Sequence, residues 1–180
     1  MELNSFILSA EVENFRMRQK LEKMGTTDML TGVLNRNAMN RRIEEPWPEV
    51  SCGHGIGVVF IDLNGLKTAN DIEGHNKGDE MLKNVAEKLK SVYRDKEIYR
   101  VGGDEFLVIA ADTGRDEFDA LFRQLETLSS VPGEPAFAVG SYYDDTGMDI
   151  AKILQIADKN MYRNKAEYYE KNPAIDRRVR

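Results

Sequence analysis

Two glycines followed at once by two carboxylates, Gly102-Gly103-Asp104-Glu105, sit between apolar, β-prone runs. Ile98 and Tyr99 precede them, and Phe106 to Ile109 follow. Adjacent glycines in that setting read as a tight hairpin turn, because glycine reaches positive φ without steric cost. They also let a ligand come close to bare backbone. A turn of this kind carrying two carboxylates can hold a phosphate together with its metal ion. A third carboxylate, Asp62, closes another apolar run at residues 55–63. A strand end beside a loop is a common place for a metal ligand. If the fold sets that end beside the hairpin, Asp62 and Asp104 converge on one site. Carboxylates with open positions and phosphate oxygens suit Mg²⁺, and such a pair supports in-line displacement at phosphorus. Each feature alone also has a plainer reading. The hairpin can be a structural turn with a charged tip, Asp62 a strand terminator, and Glu105 the partner of a cation such as Arg100.

The elements that must position these groups follow from periodicity. Residues 55–63 form a near-continuous apolar run with β-branched members, which suits a strand buried on both faces. Residues 64–78 are polar, contain Gly65, Gly74 and Gly78, and read as loop and helix turn. Residues 79–93 place Met81, Leu82, Val85, Leu89 and Val92 on one helix face. The hairpin comes next. Residues 115–128 form another helix, with Phe118, Leu121, Phe122 and Leu125 inward, ended by Val131-Pro132-Gly133. Residues 137–143 are a strand, and residues 148–170 the last helix, led in by the capping types Asp144, Asp145 and Thr146. The order is βαββαβ. It predicts an α+β, ferredoxin-like fold: an antiparallel sheet with its helices on one face.

A short helix is expected at residues 37–45, stopped by Pro46-Trp47-Pro48. Before it, Leu3, Ile7, Ala10, Asn14, Met17, Leu21 and Met24 alternate in steps of four and three, a heptad seam with one polar position. Either this is a parallel dimer helix or an amphipathic helix lying on its own domain. Gly25-Thr26-Thr27-Asp28 breaks the pattern, so the chain divides at residues 1–25 and 26–180.

Composition narrows the function classes. The chain has 180 residues and a net charge of −6, which argues against a nucleic-acid-binding surface. Cys52 is the single cysteine, so no intrachain disulfide forms. No apolar run approaches the ~20 residues of a membrane helix. The expected location is cytoplasmic, without direct membrane contact, and a larger membrane-anchored parent stays open. Arg177-Arg178-Val179-Arg180 reads as a solvated tail.

The five residues Gly102 to Phe106 resemble the signature of the GGDEF family, whose active members are diguanylate cyclases. A more specific resemblance runs over eighteen positions from Asp62 to Asp79, where Asp62, Lys67, Asn70, Asp71, Gly74, His75, Gly78 and Asp79 match the family's substrate loop. Residues 28–36 resemble the motif that opens the catalytic domain, a turn that seats the incoming helix. Residues 157–165 resemble its final helix, where Asp158, Tyr162, Lys165 and Tyr169 share one face. The resemblance implies a nucleotidyl-cyclase palm and a set of roles. Asp62, the Leu63 carbonyl and Asp104 bind Mg²⁺ or Mn²⁺. The backbone of Asn64, Gly65 and Leu66 wraps the β- and γ-phosphates of GTP, with Lys67 and Lys165 as cations and Gly102 and Gly103 leaving room. Asn70 and Asp79 read the guanine edge, and His75 is either a further contact or a helix-entry residue. Asp104, or a metal-bound hydroxide beside it, is the base, and Glu105 a second metal ligand or helper.

Three departures from the family pattern matter. Asn64 stands where a second acid is frequent. Tyr168 and Tyr169 stand where glycine and arginine are frequent, and losing a charge-assisted bond of ~1.5–3 kcal/mol raises a Kd roughly ten- to a hundredfold. In the frame Tyr93-Arg94-Asp95-Lys96, Tyr93 and Lys96 stand where the family's inhibitory product site has its arginine and aspartate, which predicts no product inhibition of that kind. The reading is a diguanylate cyclase that joins two GTP across a homodimer and answers to an upstream sensor domain. The alternative is a weak or inactive GGDEF domain acting as a GTP- or cyclic-di-GMP-binding regulatory module.

Overall fold

The computed structural model describes residues 11–17, 24–47 and 54–172. Leu3, Ile7, Ala10 and Leu21 of the seam, together with Pro48, Cys52 and the tail at 177–180, lie outside them. Residues 11–17 are helical (α1) and every one is exposed, with Phe15 61% and Met17 57% accessible. Over these seven residues the helix does not lie on its own domain. Then follow β1 (Leu34–Asn35), α2 (Arg36–Glu44), β2 (His54–Leu63), α3 (Leu66–Glu73), α4 (His75–Val92), β3 (Glu97–Arg100), β4 (Glu105–Gly114), α5 (Arg115–Leu128), β5 (Phe137–Asp144) and α6 (Ile150–Lys171). No helix among the described residues is long and apolar enough to cross a membrane.

The sheet order is β1-β3-β4-β2-β5. From β2 onward the expected βαββαβ order holds, and β2, β3, β4 and β5 pair antiparallel. The two-residue β1 adds a parallel edge beside β3. The helices do not share one face, as the order alone had suggested. Strand alternation sends Val59, Ile61 and Leu63 into a core with Leu82, Val85 and Leu89 of α4 and Phe118 and Leu125 of α5. It sends Ile56 and Val58 into a second core with Ile153 and Ala157 of α6, against which Ala38 and Met39 of α2 pack. Both faces of β2 are therefore covered, which explains its lack of polar alternation.

The stretch at 64–78, expected as loop and helix turn, is largely helical. Gly65 (φ 74°) enters α3 in the left-handed region, and Gly74 (φ 86°) closes α3 and opens α4. Only glycine adopts such φ at low cost, so a polar stretch with few apolar residues still forms two helices around one joint. At the other end of the fold, α6 is capped by Asp149, whose carboxylate accepts from Ala151 N–H at 2.7 Å. Asp144 instead braces the lead-in by accepting from Thr146 and Met148 N–H.

The backbone of α6 runs directly against β5 at Gly140. A Cβ there would run into the backbone of Asn160 and Met161. Because Ile153, Ala157 and Met161 are fully buried, α6 cannot step aside. Gly140→Ala is expected to cost about 3 kcal/mol, the upper range for an overpacked site, read as a lower urea midpoint at unchanged slope.

Candidate active site

The ends of β2 and β4 carry the chemistry. Their register sets Asp62 directly opposite Glu105, and antiparallel pairing puts such residues on the same face. Leu63 N–H donates to the Asp104 carbonyl at 3.0 Å, which ties the turn to the strand end. Asp62 is only 3% accessible. Lys165 Nζ, reaching in from α6, donates to Asp62 Oδ1 at 2.6 Å. The structure thus brings Asp62, Asp104, Glu105 and Lys165 together. Burial pushes the Asp62 carboxyl above its ordinary value against the pull of Lys165, with Asp104 and Glu105 adding to the rise. Burial lowers Lys165, but its bond to Asp62 and the nearby Asp104 outweigh it and hold its ammonium more firmly protonated.

The glycine turn has a different basis from the one expected. Neither Gly102 nor Gly103 has positive φ. A Cβ at Gly102 would lie 2.5 Å from Glu105 Oε2, the end of a flexible side chain that can shift. Val101 N–H closes the turn onto the Glu105 carbonyl at 2.9 Å. Arg100 is not the partner of Glu105. Its Nη2 donates to the Gly103 carbonyl at 2.7 Å, and its Nη1 to Asp28 Oδ1 at 3.2 Å. Burial pulls the Asp28 carboxyl upward. The hydrogen bonds from Thr31 and the Arg100 charge overcome that pull and keep it below the ordinary range. The turn at residues 28–36 therefore does more than seat a helix, because it is bonded through one guanidinium to the glycine turn. Nothing in the sequence marks that link across 72 positions.

The remaining expected site residues lie at the joint of α3 and α4. Lys67 is exposed in the first turn of α3. Gly65 supplies no side-chain cap there, so the first N–H groups of α3 stay available, as an anion needs. Asn64 is 4% accessible, and both ends of its amide are buried without a partner. Asn70 Oδ1 is likewise buried and unpartnered, packed against Gly78 beside Asp79. Asp79 is half-buried at the fifth position of α4, in its second turn. His75, its first residue, is exposed.

On α6, Asp158 and Tyr162 line a cavity of about 490 Å³ with Arg36 and Glu105. Tyr169 lies close enough to Lys165 to act on it electrostatically and packs edge-on to Tyr168 at 5.5 Å. Among the described residues no cluster of three or more His, Cys, Asp or Glu is arranged to hold a metal ion. The donors present nevertheless fit a hard divalent cation. A desolvated Asp62 facing two like charges gains from added positive charge, and Mg²⁺ commonly takes one or two carboxylates and completes its shell from water and phosphate oxygens.

A family model described as diguanylate cyclase, GGDEF domain, matches residues 25–171. The chain is 32% identical over 162 residues to the cyclic di-GMP phosphodiesterase PdeR of Escherichia coli (strain K12), covering 85% of this chain and 24% of that protein. It is 31% identical over 162 residues to the diguanylate cyclase DgcP of the same strain, covering 83% of this chain and 47% of that one. The chain spans less than half the length of either relative. The coiled coil and GGDEF domain of DgcB from Caulobacter crescentus, solved in complex with c-di-GMP, superposes with a TM-score of 0.73. That likeness covers 93% of this chain and 96% of the other at 22% identity, and it concerns the fold.

Proposed function

This chain belongs to the GGDEF family, and from that premise we propose that it is a diguanylate cyclase. The observation that carries the reading is the cluster of Asp62, Asp104, Glu105 and Lys165 around an intact Gly102-Gly103 turn. Two GTP molecules condense to cyclic di-GMP and two pyrophosphates. Each 3′-hydroxyl oxygen forms a bond to the α-phosphorus of the other nucleotide, each bond from that phosphorus to pyrophosphate breaks, and each hydroxyl proton is lost to base. The two half-reactions need two copies of the domain, residues 26–180, joined through residues 1–25 and driven by an upstream sensor.

Within each copy, Gly65 and Leu66 offer backbone N–H groups to the β- and γ-phosphates beside Asn64, whose own N–H donates to the Ala136 carbonyl at 2.9 Å. Lys67 and Lys165 balance their charge. Asn70 and Asp79 receive the guanine edge, where Asp79 accepts from N–H donors that adenine lacks, and His75 flanks that pocket. Gly102 and Gly103 let the α-phosphate approach. Asp104 accepts the proton of the 3′-hydroxyl at its carboxylate, and Glu105 fixes the turn geometry around it. Asp62, the Leu63 carbonyl and Asp104 would hold Mg²⁺ or Mn²⁺, which when bound neutralises charge building on the phosphates.

Incubation of the chain with GTP and Mg²⁺ at rising protein concentration tests this reading. Cyclic di-GMP forming faster than linearly in protein is the expected result. GTP bound without product would instead support the second reading, a nucleotide-binding regulatory module. One observation favours that alternative: Tyr169, rather than a cation, stands one helix turn beyond Lys165.

The same proposal carries a regulatory prediction. At the frame where relatives bind product, Tyr93 is fully buried. Lys96 is held by Thr113 at 2.8 Å and Glu117 at 3.2 Å. Cyclic di-GMP titrated into the protein is expected to show no micromolar binding at this frame. A calorimetric isotherm in that range that Tyr93→Ala removes would contradict it.

A further inference from the structure

β5 is an edge strand, and an edge presents unpaired N–H and C=O groups that must be covered. Two asparagines of α6 cover it here. Asn164 Oδ1 accepts from Val139 N–H at 3.0 Å, and Asn160 Nδ2 donates to the Ser141 carbonyl at 2.8 Å. Four residues apart, they share one helix face. Between their two bonds lies Gly140, where the α6 backbone touches the strand. Asn160 Oδ1 is engaged by Arg163 Nη2, so its amide N–H₂ is the end that faces the strand. The next residue after Asn164 is Lys165, whose Nζ sits on Asp62.

We propose that Asn160 and Asn164 are positioning residues: they lock α6 at one height along β5 and so hold Lys165 on Asp62. Apolar packing from Ile153, Ala157 and Met161 is non-directional and does not fix a helix against sliding along a strand. Hydrogen bonds to two strand residues do. Each residue along a helix advances 1.5 Å and turns 100°, so even a slip of one position carries the Lys165 ammonium out of hydrogen-bond range of Asp62. The pair acts as two extra rungs of the sheet, supplied by side chains, one accepting and one donating.

The two asparagines have opposite polarity, which separates positioning from mere packing. Asn164→Asp keeps an acceptor for Val139 N–H, whereas Asn160→Asp removes the donor to Ser141. Affinity for 3′-deoxy-GTP with Mg²⁺, a nucleotide lacking the attacking hydroxyl, is read by calorimetry; this arm rests on the cyclase reading. Asn164→Ala and Asn160→Asp are each expected to weaken binding about fivefold, the scale of one hydrogen bond, and Asn164→Asp to stay within about twofold of native. Equal loss in Asn164→Ala and Asn164→Asp overturns the proposal.

A second arm needs no nucleotide. The Asn160→Ala/Asn164→Ala change is made in the native chain and in one carrying Asp62→Asn/Lys165→Met, and urea unfolding is followed in all four proteins. Residues acting through one network are non-additive. The loss in folding equilibrium constant is expected to be about threefold or more smaller once the ion pair is gone. Strict additivity overturns the proposal. Failure of the native chain to bind 3′-deoxy-GTP sinks the cyclase reading and leaves the unfolding cycle to decide the positioning role.

Discussion

Asp104→Ala lowers cyclic di-GMP formation by about 10²–10⁴-fold, the share a positioned general base contributes, and leaves the fold intact. The second half of that expectation comes from the backbone. Asp104 serves the structure through its carbonyl, which accepts from Leu63 N–H, and alanine keeps that carbonyl. Its side chain is only partly buried and sits in the turn rather than in a strand. Stability should therefore stay within ±0.5 kcal/mol of native, as for surface substitutions away from special features. The contrast is Glu105, whose carboxylate fills the space left by Gly102 and which opposes Asp62 across the ladder. Product resolved by chromatography, with thermal unfolding of the same samples, checks both halves. Turnover within tenfold of native would remove Asp104 from the chemistry. Lost turnover with lost structure would make it a fold residue.

Much of this arrangement was legible in the chain because local rules and the fold agree. Residues 115–128 have helical period and emerge as α5 with both ends in place. Residues 55–63 read as a doubly buried strand, and β2 is one. Where sequence reading fell short, the missing information was long-range. α3 is only eight residues long with none of them fully buried, too short for its periodicity to stand out; two glycines of positive φ bound it instead. The distribution of helices over two faces depends on which side of β2 each crossover takes, and element order does not encode that. The Gly102-Gly103 pair was recognised correctly as a turn for an incorrect reason. Neither glycine has positive φ, and the group nearest Gly102 is the movable Glu105 carboxylate three residues on. Asp62 and Asp104 were read from the residues and the rest of the site from the resemblance, while the bonds that Arg100 makes to Asp28 and that Asn160 and Asn164 make to β5 were not foreseen. The spacing of Asn160 and Asn164 was visible, but polar residues on a helix face read as solvated until an edge strand is known to lie beneath them.

Lys165→Met is expected to cost about 3 kcal/mol at pH 7, the low end for breaking a buried ion pair, and the cost should shrink on acidification. Asp62 is 4% exposed at its side chain and Lys165 21%, so methionine fills the stem's volume but leaves a desolvated carboxylate facing Asp104 and Glu105. In the unfolded chain Asp62 titrates near its ordinary 3.8; folded, burial and its acidic neighbours already hold it higher despite Lys165. Removing the cation raises it further. Between the unfolded and folded values the native state binds more protons than the unfolded one, so stability falls as pH rises through that window. The window is wider in the variant. Urea unfolding of both proteins at pH 7.5 and pH 5 should therefore show a smaller difference at the lower pH. An equal difference at both would mean that Asp62 is not the group penalised, and the loss would then belong to packing of the lysine stem along α6.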